Sequence, residues 1–317
     1  MKKITLILYL IFVVHNLSAQ GNSNTITSTG NDNSTIIEQI GFENKLTDAQ
    51  LGNNNSTLVF QKGNLNESTQ TQTGHYNKAK INQKIVENSI FQNQIGVHNA
   101  VTSIQRGKHN ESNQFQQGDN NKAKAKQTDD FSSNTQSQKG NFNNGVLYQI
   151  VDANNESNQL QTGNNNATFT FQKGGDNKSN VDGSISGYLG TYQQIGNNNS
   201  ATTKQINDNN TSGVVQQGDL NKVVVTQDGD ANVTFNLQDG NTNYGFLQTV
   251  GNINESRSKQ TGNNNFTSTL QSSDYSLTNA NQTGYLNKTY SNQNGDHHQN
   301  IITQTGNVNY ANVNQNN

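Results

Sequence analysis

Asn155-Glu-Ser-Asn-Gln-Leu-Gln161-Thr-Gly-Asn-Asn-Asn166-Ala-Thr-Phe-Thr-Phe-Gln172-Lys-Gly-Gly-Asp-Asn177 contains one unit twice. The unit is an Asn, five variable residues, a Gln, then x-Gly-x-x and the next Asn, so Gln161 and Gln172 stand eleven apart. Working outward, glutamine keeps this spacing from Gln39 to Gln149, from Gln194 to Gln238 and from Gln260 to Gln315. A fixed period of this kind signals stacked supersecondary units in place of a conventional core.

Composition agrees with that reading. Apolar residues make up 28% of the 317 and the mean hydropathy is -0.92. That polarity by itself suggests a disordered Asn/Gln-rich chain, and the strict spacing argues against disorder. The chain has no proline. Proline lacks the N–H that a strand ladder needs, so its exclusion fits a chain made mostly of central strand. Cysteine is also absent, which removes disulfides and thiolate metal sites. A net charge of -2 supplies no long-range field for nucleic acid or an anionic membrane.

At the start, Lys2 and Lys3 precede the apolar run Ile4 to Val14, and Leu17-Ser18-Ala19 offers a small-residue cleavage site before Gln20. This predicts a signal peptide over 1–19 and a repeat domain over 20–317; the run is too short to span a membrane as a helix. Ser28-x-Gly30-x-x-Asn33 then fits the unit with Ser in the Gln place.

Charges fix the faces of each five-residue strand. Counted from the unit's Asn, Glu67, Lys78, Lys80, Glu111, Lys122, Lys124, Lys126, Glu156, Lys204, Lys222, Glu255, Arg257 and Lys259 take odd offsets. Thr57, Val59, Ala79, Ile81, Ala123, Ala125, Val223 and Val225 take even ones, as do Ser68, Gln70, Ser112 and Gln114; Asp48 is the exception. Successive strand side chains point to opposite faces, so the even set and the framing Gln and Asn face inward. Phe60, Phe91, Phe115, Tyr148, Phe169, Phe171, Phe235, Phe266, Tyr290 and Tyr310 fall at outward offsets, which predicts an interior with no room for rings.

Up to about Gln161, apolar interiors alternate with Ser/Gln ones, so like strands recur at 22 residues. The fold expected is all-β, a two-sided β-solenoid with about 22 residues and two eleven-residue units per coil, about a dozen coils in all. Four places depart from the pattern: Gln83 to Asn88 and Gln127 to Ser132 lose the Gly, Gln149 to Asn155 gains a residue, and Thr249 replaces a Gln. Gly183 to Tyr192 is the largest break, after which the alternation changes phase.

The framing amides are expected to be structural, because stacked identical amides satisfy one another as they do in cross-β assemblies. The expected ladder comprises Gln39, Asn44, Gln50, Asn55, Gln61, Asn66, Gln72, Asn77, Gln94, Asn99, Gln105, Asn110, Gln116, Asn121, Gln138 and Asn143, and continues with Gln161, Asn166, Gln172, Asn177, Gln194, Asn199, Gln216, Asn221, Gln227, Asn232, Gln260, Asn265, Gln282, Asn287, Gln304 and Asn309. The expected turn glycines, placed where a tight turn asks for positive φ, are Gly41, Gly52, Gly63, Gly74, Gly96, Gly107, Gly118, Gly140, Gly163, Gly174, Gly196, Gly218, Gly229, Gly240, Gly262, Gly284 and Gly306.

No catalytic, cofactor or metal site is expected. Acidic residues show no recurring pair, and His75, His98, His109, His297 and His298 share no common coil position. Gly174-Gly175-Asp176 reads as a turn. Lys122, Lys124 and Lys126 form an outward basic stripe, read either as a solvated face that damps aggregation or as a contact for an anionic surface or polysaccharide.

Ser68-x-Gln70-x-Gln72-x-Gly74-x-x-Asn77-x-Ala79 and Ser112-x-Gln114-x-Gln116-x-Gly118-x-x-Asn121-x-Ala123 resemble the curlin repeat, Gln-x-Gly-x-x-Asn-x-Ala in a strand-turn-strand unit. The resemblance covers nearly all of 20–317. It implies a secreted curli-type functional amyloid subunit of the bacterial cell surface and biofilm matrix. Its implied partners are further copies, related curlin subunits and a dedicated outer-membrane secretion pore, with no nucleic acid and no membrane insertion. The array is longer and less regular than short family members and lacks the Gly-rich leader some of them carry. Asn309 to Gln315 is an unmodified unit with no capping repeat beyond it, so filament growth through open strand edges is expected. The alternatives are a monomeric surface- or polysaccharide-binding solenoid adhesin, an ice-binding solenoid and a solenoid polysaccharide-cleaving enzyme. The last two need regular outward Thr arrays or clustered ionisable groups, which the offsets do not supply.

Overall fold

Period-two burial over short strands, with a glycine-bearing turn every eleven residues, leaves each strand one thin inward face to cover. The computed structural model describes residues 21–184, 187 and 189–316, and among these every regular element is a strand. The expected signal peptide and part of the irregular stretch lie outside the described residues.

Twenty-seven strands, from β1 (Ser23–Thr29) and β2 (Ser34–Ile40) to β26 (Gln299–Asn307) and β27 (Tyr310–Asn316), alternate between two parallel sheets. Odd-numbered strands build one sheet of 14 and even-numbered strands the other, of 13. Each strand pairs in register with the strand 22 residues on, as in Lys122↔Asn144 and Gln127↔Gln149. The molecule is the two-sided β-solenoid the spacing predicts, about 60 Å along its axis at the strand spacing of about 4.8 Å.

The extra residue after Gln149 leaves the ladder intact. The register becomes 23 across it (Asn144↔Ala167), and the surplus is taken up in a corner where Val151, Asp152 and Asn154 all have positive φ. The change of phase is a change of filling. Leu46, Val59, Ile81 and Ile90 form one apolar cluster, and Ala79, Val101 and Ala123 another. Beyond β15 (Lys178–Ser184), Val223, Val225 and Leu247 place larger apolar residues in the odd-numbered sheet, at inward positions where Ser112, Gln114, Ser157 and Gln159 stand in earlier coils.

One expectation is corrected here. The outward rings are as predicted, but the interior also accepts Tyr192, which is fully buried against Val181 and Val214. Its neighbours explain the fit, since Gly183 and Gly190 occupy inward positions without side chains and leave volume beside the ring.

Candidate functional site

The repeated residues converge on two glutamine columns and two corners. All the ladder residues named above are buried except Gln39 and Asn309, which are half-buried near the two ends. In the even-numbered sheet thirteen glutamines form an unbroken column from Gln39 to Gln304; each Nε2 donates to the next coil's Oε1, for example Gln61 to Gln83 at 2.8 Å and Gln172 to Gln194 at 2.9 Å. The same Nε2 donates across the interior to a main-chain carbonyl of the facing strand, Gln61 to Lys45 O at 3.1 Å and Gln172 to Glu156 O at 2.9 Å. That second acceptor fixes the amide orientation, because only the NH2 end can serve a carbonyl. Each glutamine therefore ties coil to coil and sheet to sheet.

In the odd-numbered sheet the column runs from Gln50 through Gln116 to Gln161, then meets Gly183, and later Thr249. Continuity is carried by one sheet only.

The corners join Asn to Gly. The repeating pattern is an Asn N–H that donates to the Asn Oδ1 one coil below, as from Asn66 to Asn44 at 3.1 Å, and an Nδ2 that donates to a turn carbonyl of the next coil, as from Asn99 to Gly118 O at 2.6 Å; Asn155 departs from it, with Ser132 and Asp129 as its acceptors. The turn glycines have φ between +103° and +126°. Gly107 is the exception among the expected set and does not adopt that conformation. A Cβ on Gly118 would sit 2.2 Å from Gly140 O, so close stacking demands glycine as much as φ does.

Two features of the corner escape the sequence reading. The residue after the glycine is repeatedly Asn or Asp, and its Oδ1 accepts the N–H one coil below: Asp119 N–H to Asn141 and Asn197 N–H to Asp219, at 2.8 and 2.7 Å. This third ladder accounts for the recurrent Gly-Asn and Gly-Asp pairs. The residue before the Asn is left-handed, with φ near +57° at Leu65, Tyr76, Leu220 and Leu286, and is half to largely exposed. Rings at that corner stack coil on coil, Tyr76 on His98 at 4.9 Å and Tyr275 on His297 at 5.2 Å. Contrary to the sequence reading, His98, His109 and His297 share this corner position, though among the described residues none of them stacks on another histidine; His109 pairs with Glu87 at 2.9 Å, and His75, elsewhere in the turn, accepts the Asn53 N–H. Among the described residues no group of three or more His, Asp or Glu is placed to hold a metal ion.

Where Gly is missing, strain or burial takes its place. Ile85 holds φ +87°, which a β-branched residue rarely adopts. Ile85→Gly is expected to raise stability by about 1 kcal/mol, relief of strain exceeding the added unfolded-state entropy; a higher urea midpoint at unchanged slope checks it.

Asp129 replaces another glycine and is buried, with its carboxylate bonded to Ser132 and Asn155. Burial pushes its carboxyl above the ordinary range, and those bonds offset part of the rise. Asp48, inside the strand, is raised for the same reason, with Thr35 and Thr57 donating to it. A raised folded pKa means the folded state binds the proton more tightly. The Asp48 contribution therefore favours folding below about pH 4 and turns unfavourable as pH rises from the unfolded value to the folded one. Asp48→Asn is expected to stabilise the fold at neutral pH and to flatten that part of the pH profile; a variant less stable at pH 7 and unchanged at pH 3 would contradict it.

Comparison with known proteins bears on this geometry. The family model described as curlin associated repeat matches residues 52–84, from the Gly52 turn through β4 (Ser56–Asn64) and β5 (Glu67–His75) into β6 (Lys78–Val86). No curated protein matches the chain. The curlin associated repeat is a structural and not an enzymatic family. Residues 52–84 carry the curlin associated repeat, and this match supports the curlin-repeat family for a chain whose other coils repeat the same Gln, Gly and Asn geometry.

Proposed function

We propose that the chain is a secreted structural subunit that polymerises into extracellular curli-type fibres for adhesion and biofilm matrix. The observation that carries this reading is the direction of the glutamine columns. In every link of the continuous column the lower coil donates and the next accepts, so the two ends of the described solenoid differ. The Nε2 groups of Gln304 and Gln315 donate, among the described residues, only across the interior, to Lys288 O and Gln299 O, and keep a donor toward the next coil. At the opposite end Gln39 is the first glutamine of the continuous column among the described residues, so its Oε1 receives no glutamine donor from a coil below.

A donor end and an acceptor end of the same cross-section are complementary. Identical subunits then add head to tail and extend both sheets, a non-closing heterologous contact that gives filaments. The ladder residues would act in this as the template for the incoming coil, and the corner glycines would keep the coil spacing constant. Cleavage after Ala19, export through an outer-membrane pore and association with related curlin subunits belong to the same proposal.

The test is direct. Purified 20–317 should convert to unbranched, thioflavin-positive fibres visible by electron microscopy. A chain that stays monomeric through prolonged incubation at high concentration would replace this reading with that of a monomeric adhesin. Mass spectrometry of the exported protein should find Gln20 as its first residue.

A further inference from the structure

The net charge of -2 conceals a segregation of charge by face. In the even-numbered sheet the six strands from β4 to β14 (Ala167–Lys173) contain no Asp or Glu. β6 carries Lys78, Lys80 and Lys84, and β10 (Lys122–Gln127) carries Lys122, Lys124 and Lys126, all at outward positions. Between them Arg106 follows β8 (Ala100–Gln105), and it too is exposed. The odd-numbered strands of the same coils hold Glu67, Glu111 and Glu156 beside one lysine, Lys139. None of these even-sheet cations is in an ion pair among the described residues; the pairs formed are His109–Glu87, Lys178–Glu156 and Arg257–Glu255.

Such a face is costly to leave as it is. Lys78 and Lys80, and Lys122, Lys124 and Lys126, follow one another about every 7 Å along their strands, and the two lysine strands lie two coils, or about 10 Å, apart. Both separations fall within about a Debye length at physiological salt, so the charges repel one another without an opposing partner. Outward rings hold two of the ammonium groups in place. Lys84 Nζ lies 5.8 Å from the Phe60 centroid, while Lys124 Nζ lies 5.3 Å from the Tyr148 centroid and donates to its hydroxyl at 2.9 Å. The result is a flat lattice of fixed positive charge.

We propose that this face binds an extended acidic polysaccharide, a polyuronate in chemistry, whose regularly spaced carboxylates lie across the lysine rows. Two observations favour it over nucleic acid. The outward columns span about 20 Å across a flat sheet, and a rigid duplex resting on a plane touches it along one narrow line. It would reach only part of each lysine row. Single strands are held by bases stacking on open ring faces, and here the ammonium groups of Lys84 and Lys124 already lie over Phe60 and Tyr148. An extended, thin polyanion with a charge on each unit meets neither obstacle. The face belongs to the single chain, so the inference does not depend on polymerisation.

The experiment compares two charge-matched triple variants of 20–317 for binding to sodium alginate by the soluble chain. Lys122→Gln with Lys124→Gln and Lys126→Gln should weaken binding about tenfold or more at low ionic strength and reduce its salt dependence. Lys45→Gln with Lys139→Gln and Lys178→Gln removes the same charge from the odd-numbered sheet and should change binding less than about twofold. Circular dichroism checks that each variant keeps its β signal. Equal losses in the two variants would overturn the proposal, as would tighter binding of duplex or single-stranded DNA than of alginate, or equal binding of a neutral glucan.

Discussion

Gly118→Ala is expected to destabilise the soluble fold by about 3 to 5 kcal/mol. Two costs add. The φ of +111° is strained for any residue with a Cβ, and that Cβ would lie 2.2 Å from Gly140 O and 2.9 Å from the Asn141 side chain. Neither contact yields cheaply, because Gly140 O is main chain. Relief requires separating two coils, which lengthens the Asn121 to Gly140 O and Gly140 N–H to Gln117 O bonds together. Gly107→Ala, at the one expected turn glycine without that φ, still faces Asp129 O at 1.5 Å and should be comparably damaging. Urea unfolding of the soluble chain measures both; losses under about 1 kcal/mol would show that the coils are not stacked this closely.

Gln172→Ala comes second. Its Nε2 serves Gln194, Glu156 and Asn177, and its Oε1 receives Gln149. Truncation leaves the Gln149 amide and the Gln194 oxygen buried and facing a cavity, at about 1–3 kcal/mol for each unsatisfied group. Gln116→Ala, in the interrupted column, is expected to cost a similar amount, since Gln94 and Gln138 flank it in the same way. Lys124→Ala removes an exposed ammonium and should cost well under 1 kcal/mol. Stability losses of equal size at Gln172 and Lys124 would reverse the inside and outside assignment; slower fibre growth of Gln172→Ala is the matching kinetic readout.

The fold was legible because its two signals are independent. Spacing at eleven places the turns, and charge at alternate offsets places the faces; a helix satisfies neither. Lys122, Lys124 and Lys126 show this in one strand, exposed or half-exposed around buried Ala123 and Ala125. What stayed hidden depends on neighbours 22 residues away. Tyr192 is buried because Gly183 and Gly190 leave space, and local composition says nothing about which inward positions lie together. Ile85 looks like an ordinary apolar residue until the corner imposes its φ.

The acceptor ladder at Asp119, Asn141 and Asp219 was visible as recurrent Gly-Asn and Gly-Asp pairs, yet turn propensity already explained those pairs without any stacking partner. Asp48 stood out as a carboxylate at an inward offset. Its cost could be read only from the burial and the Thr35 and Thr57 hydroxyls that surround it.

The central claim is that the 22-residue coil of the single chain is the repeating unit of the fibre. The chain has no native cysteine, so spin labels can be placed freely. Lys122→Cys with Asn144→Cys labels two outward positions paired in neighbouring strands of one sheet, while Lys122→Cys with Ser133→Cys labels positions eleven apart in opposite sheets. In fibres diluted with unlabelled protein, the first pair should show the strong dipolar broadening of backbones about 5 Å apart, and the second none. Broadening in the second pair and its absence in the first would mean that the chain refolds on assembly into something other than this solenoid.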